Sequence, residues 1–144
     1  MRSGAILDTG PLVAYLRPQE AFHEWSVEQF ESAERPFISC EPVVTEACFL
    51  VARVDRPASR VLELLERGAV RIGFDLGDEL AAVRTLMRRY AGVPMSLADA
   101  CLVRLAELTG SPICTLDSDF AIYRAHGRRA LDLITPSPRQ LHEP

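Results

Sequence analysis

The chain contains no lysine; all sixteen of its basic side chains are arginine. Arginine's planar fork suits phosphate better than an ammonium does. Its four cysteines, Cys40, Cys48, Cys101 and Cys114, form no C-x-x-C pair and show no zinc-ligand spacing. Each lies in or beside an apolar segment, as expected of buried free thiols in a reducing compartment. No apolar run approaches the ~20 residues of a membrane span. The apolar part of MRSGAILDTG is too short for a signal peptide, so a cytoplasmic location is expected. G-x-G-x-x-G, P-loop, H-E-x-x-H and G-x-S-x-G motifs are all missing, which removes the common dinucleotide, nucleotide, zinc-protease and serine-hydrolase chemistries. His23, His126 and His142 lack ligand spacing and fall on surface segments. Ser39 has no base near it in sequence.

What is present is an ordinary globular composition in 144 residues, 48% hydrophobic and 25% charged, enough for one domain with a real core. The net charge of −4 repels a polyanion, which argues against nucleic-acid binding by bulk charge. A local site where metal ions reverse the sign remains open.

Strand-like and helix-like segments alternate. GAILD, PFISC, AVRIGFD, PICTL and ALDLI read as strands. Helices are expected after Asp8-Thr9-Gly10-Pro11, from Glu20 to Ala33, from Pro42 to about Val54, and from Pro57 to Gly68. Two more run from Asp78 to Tyr90 and from Ser96 to Leu108. Leu80, Val83, Leu86, Met87 and Tyr90 form one apolar stripe. A short turn or helix passes through Phe120 and Tyr123. This alternation predicts an α/β domain with a mostly parallel sheet over residues 1–136. The polar, Pro-rich tail, residues 137–144, is expected to be flexible.

Four acids stand where an acid is hard to explain structurally. Asp8 closes the run AIL and Asp117 closes PICTL. Glu46 interrupts VVTEACFLVA among apolar helical neighbours, and Asp99 occupies the first turn of SLADACLVRLAEL. Ligands of open parallel sheets bind beyond the carboxyl ends of the strands, and all four acids can converge there. Unpaired buried charge is costly, and oxygen-only donors suit Mg²⁺ or Mn²⁺, not zinc. Each acid also has a local explanation. Asp8 could cap a helix, Asp99 could complete a capping box with Ser96, and Asp117 and Asp119 could start a turn. Glu46 would need a buried arginine partner.

The pieces ILDTGPLVAYL, VVTEACFL, MSLADACLVRLAE and TLDSDF, in this order, resemble PIN-domain proteins, and within them the VapC-type toxins of bacterial toxin–antitoxin pairs. The resemblance covers nearly the whole chain. It implies a three-layer α/β/α fold around a five-stranded, mostly parallel sheet, and a metal-dependent ribonuclease. Asp8, Glu46, Asp99 and Asp117 would then bind Mg²⁺ or Mn²⁺ and be catalytic, with Asp119 supporting them or joining a second metal site. Thr9 and Thr115 would orient the carboxylates. Arg124, Arg128 and Arg129 are candidate phosphate contacts on RNA. The resemblance also implies an antitoxin partner, for which Leu12, Leu16, Phe22 and Trp25 offer apolar material, and a homodimer. No membrane association is expected.

Two other readings compete. One is a PIN nuclease of RNA processing, outside toxin–antitoxin systems. The other is a non-catalytic α/β binding module resembling a response-regulator receiver, which also gathers aspartates at strand ends. That module needs a lysine late in the chain, and there is none.

Overall fold

The computed structural model describes residues 4–54 and 57–141, so His142 and the end of the tail lie outside the described residues. In chain order the central elements are β1 (Ile6–Leu7), α1 (Thr9–Leu16), α2 (His23–Ser32), β2 (Phe37–Ser39), α3 (Glu41–Ala52), α4 (Ser59–Glu66) and β3 (Val70–Ile72). They are followed by α5 (Leu80–Arg89), α6 (Leu97–Thr109), β4 (Ile113–Cys114) and a 3-10 turn at Ser118–Ala121. The chain then runs through β5 (Arg124–Ala125), β6 (Arg129–Ala130), β7 (Leu133–Ile134) and α7 (Pro138–Leu141).

β1, β2, β3, β4 and β7 form one parallel sheet in the order β3-β2-β1-β4-β7. Helices flank it in three layers, the expected architecture. The inner strands β1, β2 and β4 are buried at every position, because helices cover both faces and leave no solvent side to alternate with. The connection from β1 leads to β2 on one side, while β4 lies on the other. The crevice beyond the carboxyl ends of β1 and β4 is therefore a topological switch point.

Local chemistry starts and stops the helices that border this crevice. Asp8 caps α1, its Oδ1 accepting the Thr9 N–H at 2.8 Å. Ser96 caps α6 in a capping box with Asp99, and Gly110 ends that helix at φ 73°, a left-handed conformation that favours glycine.

Two expectations need correction. ALDLI is not one strand: Arg129–Ala130 pairs antiparallel with β5, and only Leu133–Ile134 joins the central sheet. His126 (φ 53°) and Gly127 (φ 76°) form the tight turn of that extra hairpin. Leu80 leaves the apolar stripe of α5 and is 53% exposed, while Val83 and Leu86 are buried; as the first helical residue it lies beyond the packed part of the helix. Leu12 and Trp25 are core residues and Leu16 and Phe22 are half-buried, so most of this apolar material belongs to the fold itself.

Candidate active site

Asp8 leaves β1 at the switch point and is 7% exposed. Both of its oxygens are held by the chain: Oδ1 by Thr9 N–H, and Oδ2 by the Thr115 hydroxyl at 2.7 Å, across 107 residues of sequence. Thr115 follows β4, and its hydroxyl oxygen also accepts the Asp117 N–H at 2.9 Å. One threonine thus registers two acids on adjacent strands. Thr9 reaches Asp8 through its backbone only; its buried hydroxyl has no partner.

Asp99 is half-buried on the first turn of α6. Its Oδ2 accepts from Ser96 N at 3.3 Å and from the Tyr123 hydroxyl at 3.0 Å. Asp117 is exposed, and its Oδ1 accepts the Asp119 N–H at 2.9 Å. The local explanations for Asp8, Asp99 and Asp117 therefore hold. A carboxylate can cap a helix with one oxygen and leave the other free, as Asp99 and Asp117 do.

Electrostatics ties these acids together. Burial pushes Asp8 up to about 6, its two hydrogen bonds oppose the shift, and the charges of Asp99 and Asp117 add to it. Asp99 is also raised, mainly by burial, with Asp117 contributing. Tyr123 is raised by burial and by the nearby charges of Asp99, Asp119 and Asp117. Among the described residues no basic side chain forms an ion pair with any of these acids.

Glu46 departs from expectation. It is exposed, and its neighbour Phe49 is 61% exposed. The buried stripe of α3 is Val43, Ala47 and Val51, four residues apart, so Glu46 lies off the packed face and needs no buried partner. It stands on the wall of a cavity of about 880 Å³ that also includes Ser96.

Among the described residues no three His, Cys, Asp or Glu side chains stand close enough together to hold a metal ion. The chemistry of the donors nevertheless fits a hard dication. They are all oxygens, Asp8 is buried without a counter-charge, and the Thr9 hydroxyl beside it is unpartnered.

Ser39 is fully buried and donates to Leu7 O at 2.8 Å, a tie between strands and not a nucleophile. All four cysteines are free, three of them buried. Burial, with Asp8 nearby, pushes the Cys114 thiol up to about 12. Arg124 is spent on the backbone, donating to Ala121 O and Tyr123 O. Arg128 and Arg129 are exposed on the hairpin, and the Arg89 guanidinium lies over Gly127, where a Cβ would come within 3.3 Å of Nη1.

Tyr123 was not singled out as a site residue by sequence. It is fully buried, in edge-on contact with Phe120 and Tyr90 at 5.3 and 5.1 Å between ring centroids. Nothing in its sequence position separates it from a core aromatic.

The PIN-domain family model matches residues 5–125, which takes in every acid described above. The chain is a PIN-domain protein. PIN domains are generally nucleases, and in this PIN domain the acids flank the switch-point crevice. No curated protein matches the chain. Among the described residues no helix is long and apolar enough to cross a membrane.

Proposed function

We propose that this PIN domain is a Mg²⁺- or Mn²⁺-dependent endoribonuclease and the toxin of a VapBC-like toxin–antitoxin pair. The observation that carries the reading is Asp8: a buried carboxylate at the switch point with no counter-charge among the described residues, its pKa raised further by the charges of Asp99 and Asp117. Asp8, Glu46, Asp99 and Asp117 would hold the cation, with Asp119 in support. Bound there, the ion supplies positive charge that lets RNA approach and activates water for phosphodiester hydrolysis.

The chain's own part is positioning. Thr115 fixes Asp8, while Ser96 and Tyr123 fix Asp99. No protein nucleophile is required, in keeping with the tied hydroxyl of Ser39. Arg128 and Arg129, exposed on the hairpin beside Tyr123, would contact phosphates of the strand. The toxin role draws on the resemblance of the four acidic pieces. It adds a small antitoxin that covers the site, a homodimer and action in the cytoplasm.

The test is cleavage of total RNA in Mg²⁺ or Mn²⁺ buffer, with and without chelator. Parent protein cleaves; chelation, Asp8→Asn or Asp99→Asn lowers the rate at least about 100-fold, as loss of a ligand in a metal site does. Equal cleavage by either variant overturns the site. Growth arrest on expression, relieved by co-expressing a small neighbouring reading frame, tests the toxin role; no arrest favours an RNA-processing nuclease.

A further inference from the structure

The catalytic reading leaves a cavity beside the acids unexplained. At about 880 Å³ it has the size of a small-molecule site. Two of its lining residues tie it to the acids: Glu46 itself, and Ser96, whose side chain and backbone are bonded to Asp99. Its apolar wall includes Phe74, buried, and Phe49 and Leu97, which are 61% and 40% exposed. The Arg53 guanidinium sits 5.6 Å from the centre of the Phe49 ring and steadies it. Among the described residues the charged groups lining the cavity are all acceptors, Glu41, Glu46 and Asp75, and no arginine or histidine lines it.

Such a lining repels phosphate and favours groups that donate hydrogen bonds, and its aromatic wall favours a flat one. A nucleobase next to a phosphodiester at the acids meets that description. Aromatic side chains stack on unpaired RNA bases, whose Watson–Crick edges remain to be read. Guanine presents two adjacent donors, N1–H and N2–H, that match the two oxygens of one carboxylate. Adenine and cytosine pair one donor with an acceptor, and uracil flanks its single donor with two acceptors. Asp75 is the best-placed reader: it follows Phe74 directly, and its Oδ1 is steadied by the Asp78 N–H at 3.3 Å.

We infer that this cavity is a guanine subsite, stacking an unpaired guanine of the RNA on the exposed Phe49, with Phe74 as part of the apolar floor, and reading its edge with Asp75. The inference rests on the ribonuclease reading for its biological role, but the binding itself can be measured without cleavage. The full chain is titrated with guanosine, inosine, adenosine, cytidine and uridine, following backbone and methyl NMR signals of the cavity. Guanosine is expected to shift Leu97 and Leu76 and to bind about tenfold tighter than inosine, which lacks the N2 amino group and so one charge-assisted bond. Asp75→Asn abolishes that preference, and Phe49→Ala weakens all nucleosides alike. In parallel, oligoribonucleotides with one guanine at successive positions should be cut beside it by the parent and indiscriminately by Asp75→Asn.

Equal binding of all five nucleosides, no binding, or a preference untouched by Asp75→Asn overturns the inference. So does a cavity that responds only to a protein partner. Guanosine selectivity in a protein that cuts no RNA would overturn the ribonuclease reading and leave the subsite standing.

Discussion

Asp8 carries an electrostatic load that stability measurements can read. Its carboxyl is raised from 3.8 to about 6, so between those values the folded chain binds more protons than the unfolded one. Stability from this group is full at low pH and lost as pH rises through the window from 4 to 6, by about 3 kcal/mol in total. In chelator, denaturant titrations should therefore show Asp8→Asn gaining on the parent by up to that amount at pH 7, with no gain at pH 4. Added Mn²⁺ should stabilise the parent at pH 7 and leave the variant unmoved. Tyr123 makes a second prediction at this scale. Tyr123→Phe keeps both edge-on ring contacts and removes only the bond to Asp99. Thermal unfolding should remain cooperative, while the Mn²⁺ concentration for half-maximal cleavage rises about tenfold, the usual effect of losing an outer partner of a metal ligand. An unchanged metal requirement would make Tyr123 a core residue only.

At the scale of elements, α6 does two jobs with one turn. Ser96 satisfies the helix start and, through its own N–H, holds Asp99. Ser96→Ala should cost about 1 kcal/mol in chemical denaturation, the usual worth of a cap. It should also lower cleavage more than Ser59→Ala, a change at the start of α4 away from the acids. The elements themselves were largely legible in sequence. Buried strands such as IL and IC are short apolar runs closed by polar residues, and the helices between them carry clear caps and stripes. The β5–β6 hairpin was not legible, since Arg124, Ala125, Arg129 and Ala130 show no apolar alternation. Its signal was the His126-Gly127 pair, a turn sequence only in hindsight of two positive φ values. Asp8, Asp99 and Asp117 could be found because each ends or opens an apolar element. Glu46 was placed on the right helix but the wrong face: counting Phe49 as buried put its neighbour inside, and packing follows Val43, Ala47 and Val51 instead. The tie from Tyr123 to Asp99 spans 24 residues and depends on how the 3-10 turn meets α6, which no local pattern encodes.

For the whole molecule, a net charge of −4 means that RNA must be drawn by local features. Arg128 and Arg129 offer such a feature on the hairpin tip. Replacing either by alanine should weaken binding to a non-cleavable RNA uniformly across sequences. It should also reduce the salt dependence by about one unit of slope, as for one lost phosphate contact. No change in slope would leave those arginines as solvated surface. Assembly of the acids is itself a property of the entire chain. The tie between Asp8 and Thr115 closes over 107 residues, and the strand that delivers Thr115, β4, is an inner strand of the sheet beside β1. A ribosome must therefore have released the chain through Thr115 before Asp8 finds its anchor. Nascent chains and prematurely terminated fragments hold their aspartates unassembled, and translation can proceed beside them without a working nuclease at the exit tunnel.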